Sequence, residues 1–269
     1  MGKLTISLVC VYALAVVVCP ATAAMYLLED RNSSAVIDDG SQNGMDSWII
    51  DGTENLFQQW FWYRVGNQVD ESSLDTLGPP IGFVHSNSDL DPGKEHLVLQ
   101  YAGAGFVVTV TFDLNGGVTG SNTANISEVI TIDNIGSVPL DFHFFQYVDF
   151  NLLNNSGGDV AQILNANTVE QTSGQAVVSE TVVTPAPSHH EVAISNATLL
   201  SFSDGVATTL SDASGPLGPA DVTWAFQWDF TILAGETVQV GKDKQLIIPE
   251  PATLGLLMLG GLALLRRRR

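Results

Sequence analysis

The sequence predicts an all-β protein, an antiparallel β-sandwich in a single domain, and three observations carry that expectation. Residues 224–232 (WAFQWDFTI) alternate strictly, with Trp224, Phe226, Trp228, Phe230 and Ile232 on one parity and Ala225, Gln227, Asp229 and Thr231 on the other. A period of two sends one set of side chains to a core and the other away from it. Clusters of Gly, Asn, Ser, Asp and Pro interrupt such runs at intervals of roughly 8 to 15 residues, the punctuation of a sandwich or barrel. Between the two ends of the chain no stretch shows a 3.6-residue apolar stripe long enough for a core helix.

In chain order, the first strand expected is 57–65, followed by 97–101. Residues 107–114 (VVTVTFDL) put Val108, Val110, Phe112 and Leu114 on one side, and Asn115, Gly116 and Gly117 are expected to supply the positive φ of a tight turn. Residues 128–133 (EVITID) alternate again, and 134–139 (NIGSVP) turn the chain into 140–152 (LDFHFFQYVDFNL). There Phe142, Phe144, Val148, Phe150 and Leu152 share a parity with Gln146, while His143, Phe145, Tyr147 and Asp149 take the other. Both faces of this strand are therefore expected to be partly covered. Further strands are expected at 168–170, 176–183, 191–194 and 237–240, with 210–221 (LSDASGPLGPAD) as a loop. No fixed-period repeat is present, which disfavours a solenoid or propeller. Two small stacked β-domains divided near 115–125 are the alternative to a single sandwich.

The N-terminus has the organisation of an export signal. Lys3 is followed by the uncharged run 8–18 (LVCVYALAVVV), Pro20 breaks it, and Ala21-Thr22-Ala23 offers a small-x-small site with cleavage before Ala24. Residues 1–23 are thus expected to be a signal peptide removed by signal peptidase. Cys10 and Cys19 both lie within it, so the mature protein would hold neither a disulfide nor a thiolate site. Residues 24–248 are the expected exported domain, and they are acidic. Removing Glu250 from the 29 acids, and Lys3 with the four terminal arginines from the ten bases, leaves 28 against five, or −23. Such a surface repels nucleic acid and favours divalent cations.

The C-terminus is more specific. Pro249-Glu250-Pro251 precedes an uncharged run, 252–265 (ATLGLLMLGGLALL), and then Arg266, Arg267, Arg268 and Arg269. A helix over the uncharged run would rise about 21 Å, short of the roughly 30 Å hydrocarbon core, yet its burial in lipid is favourable. Four guanidiniums are costly to move across a bilayer and hold the tail on the cytoplasmic side. The two prolines keep helix from extending upstream and make an extended joint. In these three elements the chain resembles the PEP-CTERM family of exported bacterial proteins. The resemblance implies that residues 249–269 are a sorting signal recognised by an exosortase that cuts near the tripeptide. It further implies a protein anchored in the inner membrane by its tail before processing and found afterwards at the cell surface or outside. Residues 44–66 (GMDSWIIDGTENLFQQWFWYRVG) and the later FHFFQYVDFNL are similar to bodies of other such proteins of unassigned function, which transfers no activity.

No Gly-x-Ser-x-Gly elbow, His-Glu-x-x-His, Walker loop or Gly-x-Gly-x-x-Gly occurs. His189 and His190 are adjacent and would point to opposite faces of a strand. Asp141, Asp149 and Glu191 could contribute to a glycosidase-like pair. Asn87, Asp89 and Asp91 place oxygen side chains at alternate positions, as calcium loops do, although Pro92 stands where such loops have Gly. Asp149 with Asn151 and Asp159 is a second oxygen-rich set. Calcium is the one cofactor these patterns suggest. Trp60 and Trp62 share a strand face and could stack on a sugar, in which case an exopolysaccharide would be the partner. The expectation is an exported surface or matrix protein with a non-enzymatic structural or interaction role. The alternative is an exported carbohydrate-binding or carbohydrate-active protein.

Overall fold

The computed structural model describes residues 23–249. Most of the signal peptide, and the tail from Glu250 through Arg269 with its expected membrane helix, lie outside the described residues. Among the described residues no helix is long and apolar enough to cross a membrane.

Among the described residues eighteen strands follow in chain order. The first six are β1 (Met25–Asp30), β2 (Ser33–Asp38), β3 (Met45–Ile50), β4 (Thr53–Glu54), β5 (Leu56–Val65) and β6 (Ser72–Ser73). Next come β7 (Gly82–Ser86), β8 (His96–Gly103), β9 (Phe106–Gly116), β10 (Thr123–Asn134), β11 (Leu140–Phe150) and β12 (Asp159–Asn165). The last are β13 (Thr168–Ser173), β14 (Ala176–Thr184), β15 (His189–Ile194), β16 (Leu217–Ala220), β17 (Val222–Ile232) and β18 (Thr237–Ile247). Among the described residues one α-helix, α1 (Ala197–Ser201), lies between β15 and β16.

The strands form two antiparallel sheets packed face to face. The first runs β1-β2-β3-β5-β11-β17-β15, with β4 and β6 attached to β3 and β5; the second runs β16-β12-β13-β14-β18-β10-β9-β8-β7. The inward parity read from the sequence builds the space between them. Phe61 of β5 stacks on Phe144 of β11, ring centroids 5.5 Å apart, and meets Phe112 of β9 from the opposite sheet. Phe150 stacks on Trp224 at 5.4 Å. Aromatic pairs at such separations add about 0.5–1.5 kcal/mol beyond the area they bury.

The expected turn at Asn115 is corrected. β9 continues through Gly116, paired with Ala124 of β10, and the reversal falls at 117–122, with positive φ at Gly120 (81°) and Asn122 (54°). Gly116 is needed for a different reason: a Cβ there would lie 2.0 Å from the Asp30 carbonyl. Residues 115–125 thus join two strands of one sheet. Strands β1, β2, β3, β4, β6, β7, β12 and β16 were not expected from the sequence, and β16 falls inside the segment read as a loop.

Midway along the sandwich the core turns ionic. Glu128 (β10), Glu180 (β14), Lys242 and Lys244 (β18) all point inward and are at most 2% exposed. Both ammoniums contact the Glu128 carboxylate, and each lies 3.6 Å from Glu180. The first sheet adds Gln59, donating to Glu128 at 2.9 Å, and Gln146, donating to Glu180 at 2.9 Å. The Lys242 ammonium also sits 4.9 Å from the Phe61 ring centre. Burial works to raise the Glu128 pKa, but Lys242 and Lys244 outweigh it and hold it down at about 2. Two positive and two negative side chains close on each other without solvent, which is how buried charge is tolerated.

Candidate functional site

The outward face of the first sheet holds the other parity of β11 and β17. Where these strands pair, His143 lies beside Asp229 and Phe145 beside Gln227, with Arg64 and Trp62 of β5 on the far side. Much of this face is closed. Phe202, just after α1, packs on Trp62 at 5.4 Å and on Phe145 at 5.2 Å and is 1% exposed. The backbone of Leu210 donates to the Gln227 side chain at 2.9 Å. The segment from α1 to Leu210 therefore covers the sheet, as the two-sided apolar pattern of 140–152 suggests.

That cover changes the reading of the tryptophans. Trp60 is 0% and Trp62 3% exposed, so neither has a ring face free for a sugar. Trp60 meets Tyr101 edge-on at 6.3 Å and presses on Gly44, where a Cβ would come within 2.0 Å of the indole. Their row is part of the core.

Beyond the cover, an alternating chain of acids and imidazoles reaches the surface. Asp229 contacts His143 Nδ1 at 2.5 Å and lies 3.8 Å from His189 Nε2; Asp212 meets His189 Nδ1 at 3.0 Å and Asp141 lies 3.7 Å from His143. His190 turns away to the Ser214 hydroxyl at 2.9 Å, so the two adjacent histidines do point apart. Glu191 is engaged by the Thr198 hydroxyl at 2.6 Å and the Ser211 amide at 3.0 Å. The structure thus groups Asp141 with this chain and leaves Asp149 and Glu191 in other surroundings.

Asn87, Asp89 and Asp91 lie in the loop after β7. The backbone of Asp89 donates to the Asn87 side chain at 3.0 Å, and that of Asp91 to Asp89 at 2.7 Å. Asp30 of β1, not Asn87, brings the third carboxylate: oxygens of Asp30, Asp89 and Asp91 lie within 4.8 Å of one another. Their charge is already answered in part by Arg31, whose Nε meets Asp91 at 2.5 Å. Asp30 also accepts the Gly116 amide at 2.7 Å. Beside them is an open cleft of about 410 Å³ lined by Glu29, Arg31, Asn32, Ser34 and Gly93.

The second oxygen-rich set lies where β11 ends. Asp149 is 6% and Asp159 0% exposed. Asp159 accepts from the Leu152 amide at 3.3 Å and from Gln171 Nε2 at 2.6 Å, and the same Gln171 nitrogen donates to the Phe150 carbonyl at 2.8 Å. Burial, then Asp221, then Asp159 push the Asp149 carboxyl up to about 7, against a bond from the Tyr147 hydroxyl at 3.5 Å. Burial raises Asp159 as well.

Residues 248–269 match the PEP-CTERM protein-sorting motif. The chain is accordingly an exported protein, anchored at the membrane until an exosortase processes it. No curated protein matches it. Among solved structures it is similar to a bacterial glucoamylase crystallised with acarbose, at 9% identity and a TM-score of 0.55, over 86% of this chain and 32% of that one. It is also similar to the Slr1438 protein of Synechocystis sp. PCC 6803, at 10% identity and a TM-score of 0.52, over 89% and 100% of the two chains. The chain thus spans about a third of the glucoamylase and the whole of the second protein. At these identities the likeness is one of fold.

Proposed function

We propose that the chain is a surface or matrix protein whose acidic β-sandwich acts structurally or as an interaction module rather than as an enzyme. The observation that carries this is how the motif joins the body. The last strand, β18, is paired on both sides within its sheet and ends at Ile247, and the sorting motif begins at the next residue. A cut near Pro249–Pro251 would release the sandwich with every strand retained. The closed outward face of the first sheet and the buried tryptophans fit a body shaped for stability more than for taking up a small substrate. Co-expression with a matching exosortase tests the handling: the mature mass should end near 249–251, and an unprocessed mass in its presence would contradict it.

A second reading is favoured by one feature, the acid–imidazole chain through Asp141, His143, Asp229 and His189 at the open edge of that face. Carboxylates and imidazoles within hydrogen-bond reach can serve as acid and base. One relative in fold is a glucoamylase seen with acarbose, and a polysaccharide would be the substrate or ligand here. Incubation with a polysaccharide panel separates the two readings. Hydrolysis that disappears in Asp229→Asn would establish the second and remove the first.

A further inference from the structure

We propose that the end of β11 is a calcium site, formed by Asp149, Asn151 and Asp159 with Gln171 and Asp221 beside them. Four side-chain oxygens there, Asp149 Oδ1, Asn151 Oδ1, Asp159 Oδ1 and Gln171 Oε1, are buried and accept no hydrogen bond. Asp149, Asp159 and Gln171 are each more than nine-tenths buried. A buried carboxylate oxygen without a donor carries a desolvation cost that some ligand normally relieves.

The fold brings these residues together from distant parts of the chain. The Asp159 carboxylate is fastened beneath the 150–152 backbone by the Leu152 amide and by the bridge from Gln171 to the Phe150 carbonyl. Asp221 is placed from both sides, since its neighbour Ala220 pairs with Asp159 and Thr223, two residues on, pairs with Asp149. Three carboxylates therefore share one end of the sandwich. Among the described residues no Lys, Arg or His forms an ion pair with any of them; every ion pair found lies elsewhere.

The donor set selects the ion. It is all oxygen, from carboxylates and amides, which suits hard cations and not zinc or copper. Calcium accepts six to eight oxygens in irregular geometry, whereas magnesium demands a near-ideal octahedron. The trio Asp30, Asp89 and Asp91, of which Asp30 is buried and Asp89 exposed, serves as an internal control, because Arg31 already supplies its cation.

The test uses the full chain, purified in detergent, titrated with Ca²⁺ by calorimetry and with Tb³⁺ by luminescence sensitised through Tyr147 and Trp224. One ion per chain and a chelator-reversible rise in Tm are expected. Asp149→Asn and Asp159→Asn should each weaken binding about tenfold or more, while Asp91→Asn leaves it unchanged. Should either variant fold poorly, Asn151→Ala, on the partly exposed member of the set, should weaken the Tb³⁺ signal in a protein that keeps its strand spectrum. Absence of binding at millimolar Ca²⁺, or binding that survives Asp159→Asn and is lost in Asp91→Asn, overturns the proposal.

Discussion

Two groups of carboxylates are buried in this sandwich, and they are balanced in different ways. At its middle, Glu128 and Glu180 face Lys242 and Lys244, so the polypeptide supplies its own counter-ions. At the end of β11, strand pairing brings Asp149, Asp159 and Asp221 to one end of the sandwich, and among the described residues no basic side chain forms an ion pair with them. In the first group the charges are matched within the chain as it folds. The second becomes complete only with something taken from the surroundings. In a domain so short of basic residues, placing two of the few lysines at one interior point leaves the acids at the end of β11 without a basic partner.

The largest effect should come from breaking the complete group. Glu128→Ala leaves two buried ammoniums with the single carboxylate of Glu180, and loss of one partner of a buried pair costs about 3–5 kcal/mol. Urea unfolding should show it as a lower midpoint at unchanged slope. A cost below about 1 kcal/mol would mean that water reaches the group.

Next in size is removal of calcium from the incomplete group. An ion at 100 times its Kd stabilises the folded state by about 2.7 kcal/mol. Chelation should lower the unfolding midpoint of the wild type by a corresponding amount and leave that of Asp159→Asn in place.

Acid should then separate the two groups. Glu128 has a folded pKa of about 2, below its ordinary value of 4.5, so its stabilising contribution is complete above pH 4.5 and is lost as pH falls toward 2. Thermal unfolding followed from pH 6 downward should therefore keep this contribution until below 4.5, and Glu128→Gln should remove that acid limb. The smallest effect is at the surface: Asp91→Asn removes an exposed pair with Arg31, worth about 0–1 kcal/mol and weaker still at high salt.

These contrasts also mark what the letters of the sequence reveal. Strands β9, β11 and β17 are legible because aromatic and branched residues hold one parity without interruption. β12 is not, since its inward positions are Asp159, Ala161 and Ile163, and a carboxylate on the apolar parity reads as surface. β2 hides in the same way behind Ser33 and Ala35. In β18 the parity of Val240 and Leu246 passes through Lys242 and Lys244, a signal that two inward charges could have raised. Trp60 and Trp62 alternate like a ligand platform, but their cover comes from Gly44 and Phe202, remote in sequence. The set of Asp149, Asn151 and Asp159 is visible as spacing alone, whereas Gln171 and Asp221 join it only through strand pairing.

Native mass spectrometry of the full chain, released from detergent after exposure to Ca²⁺, addresses the contrast most directly. A single retained calcium in the wild type and in Asp91→Asn, absent from Asp149→Asn and Asp159→Asn, is the predicted result. A metal-free wild type, with the carboxylates of β11 and β12 neutralised by protons or water alone, would contradict it.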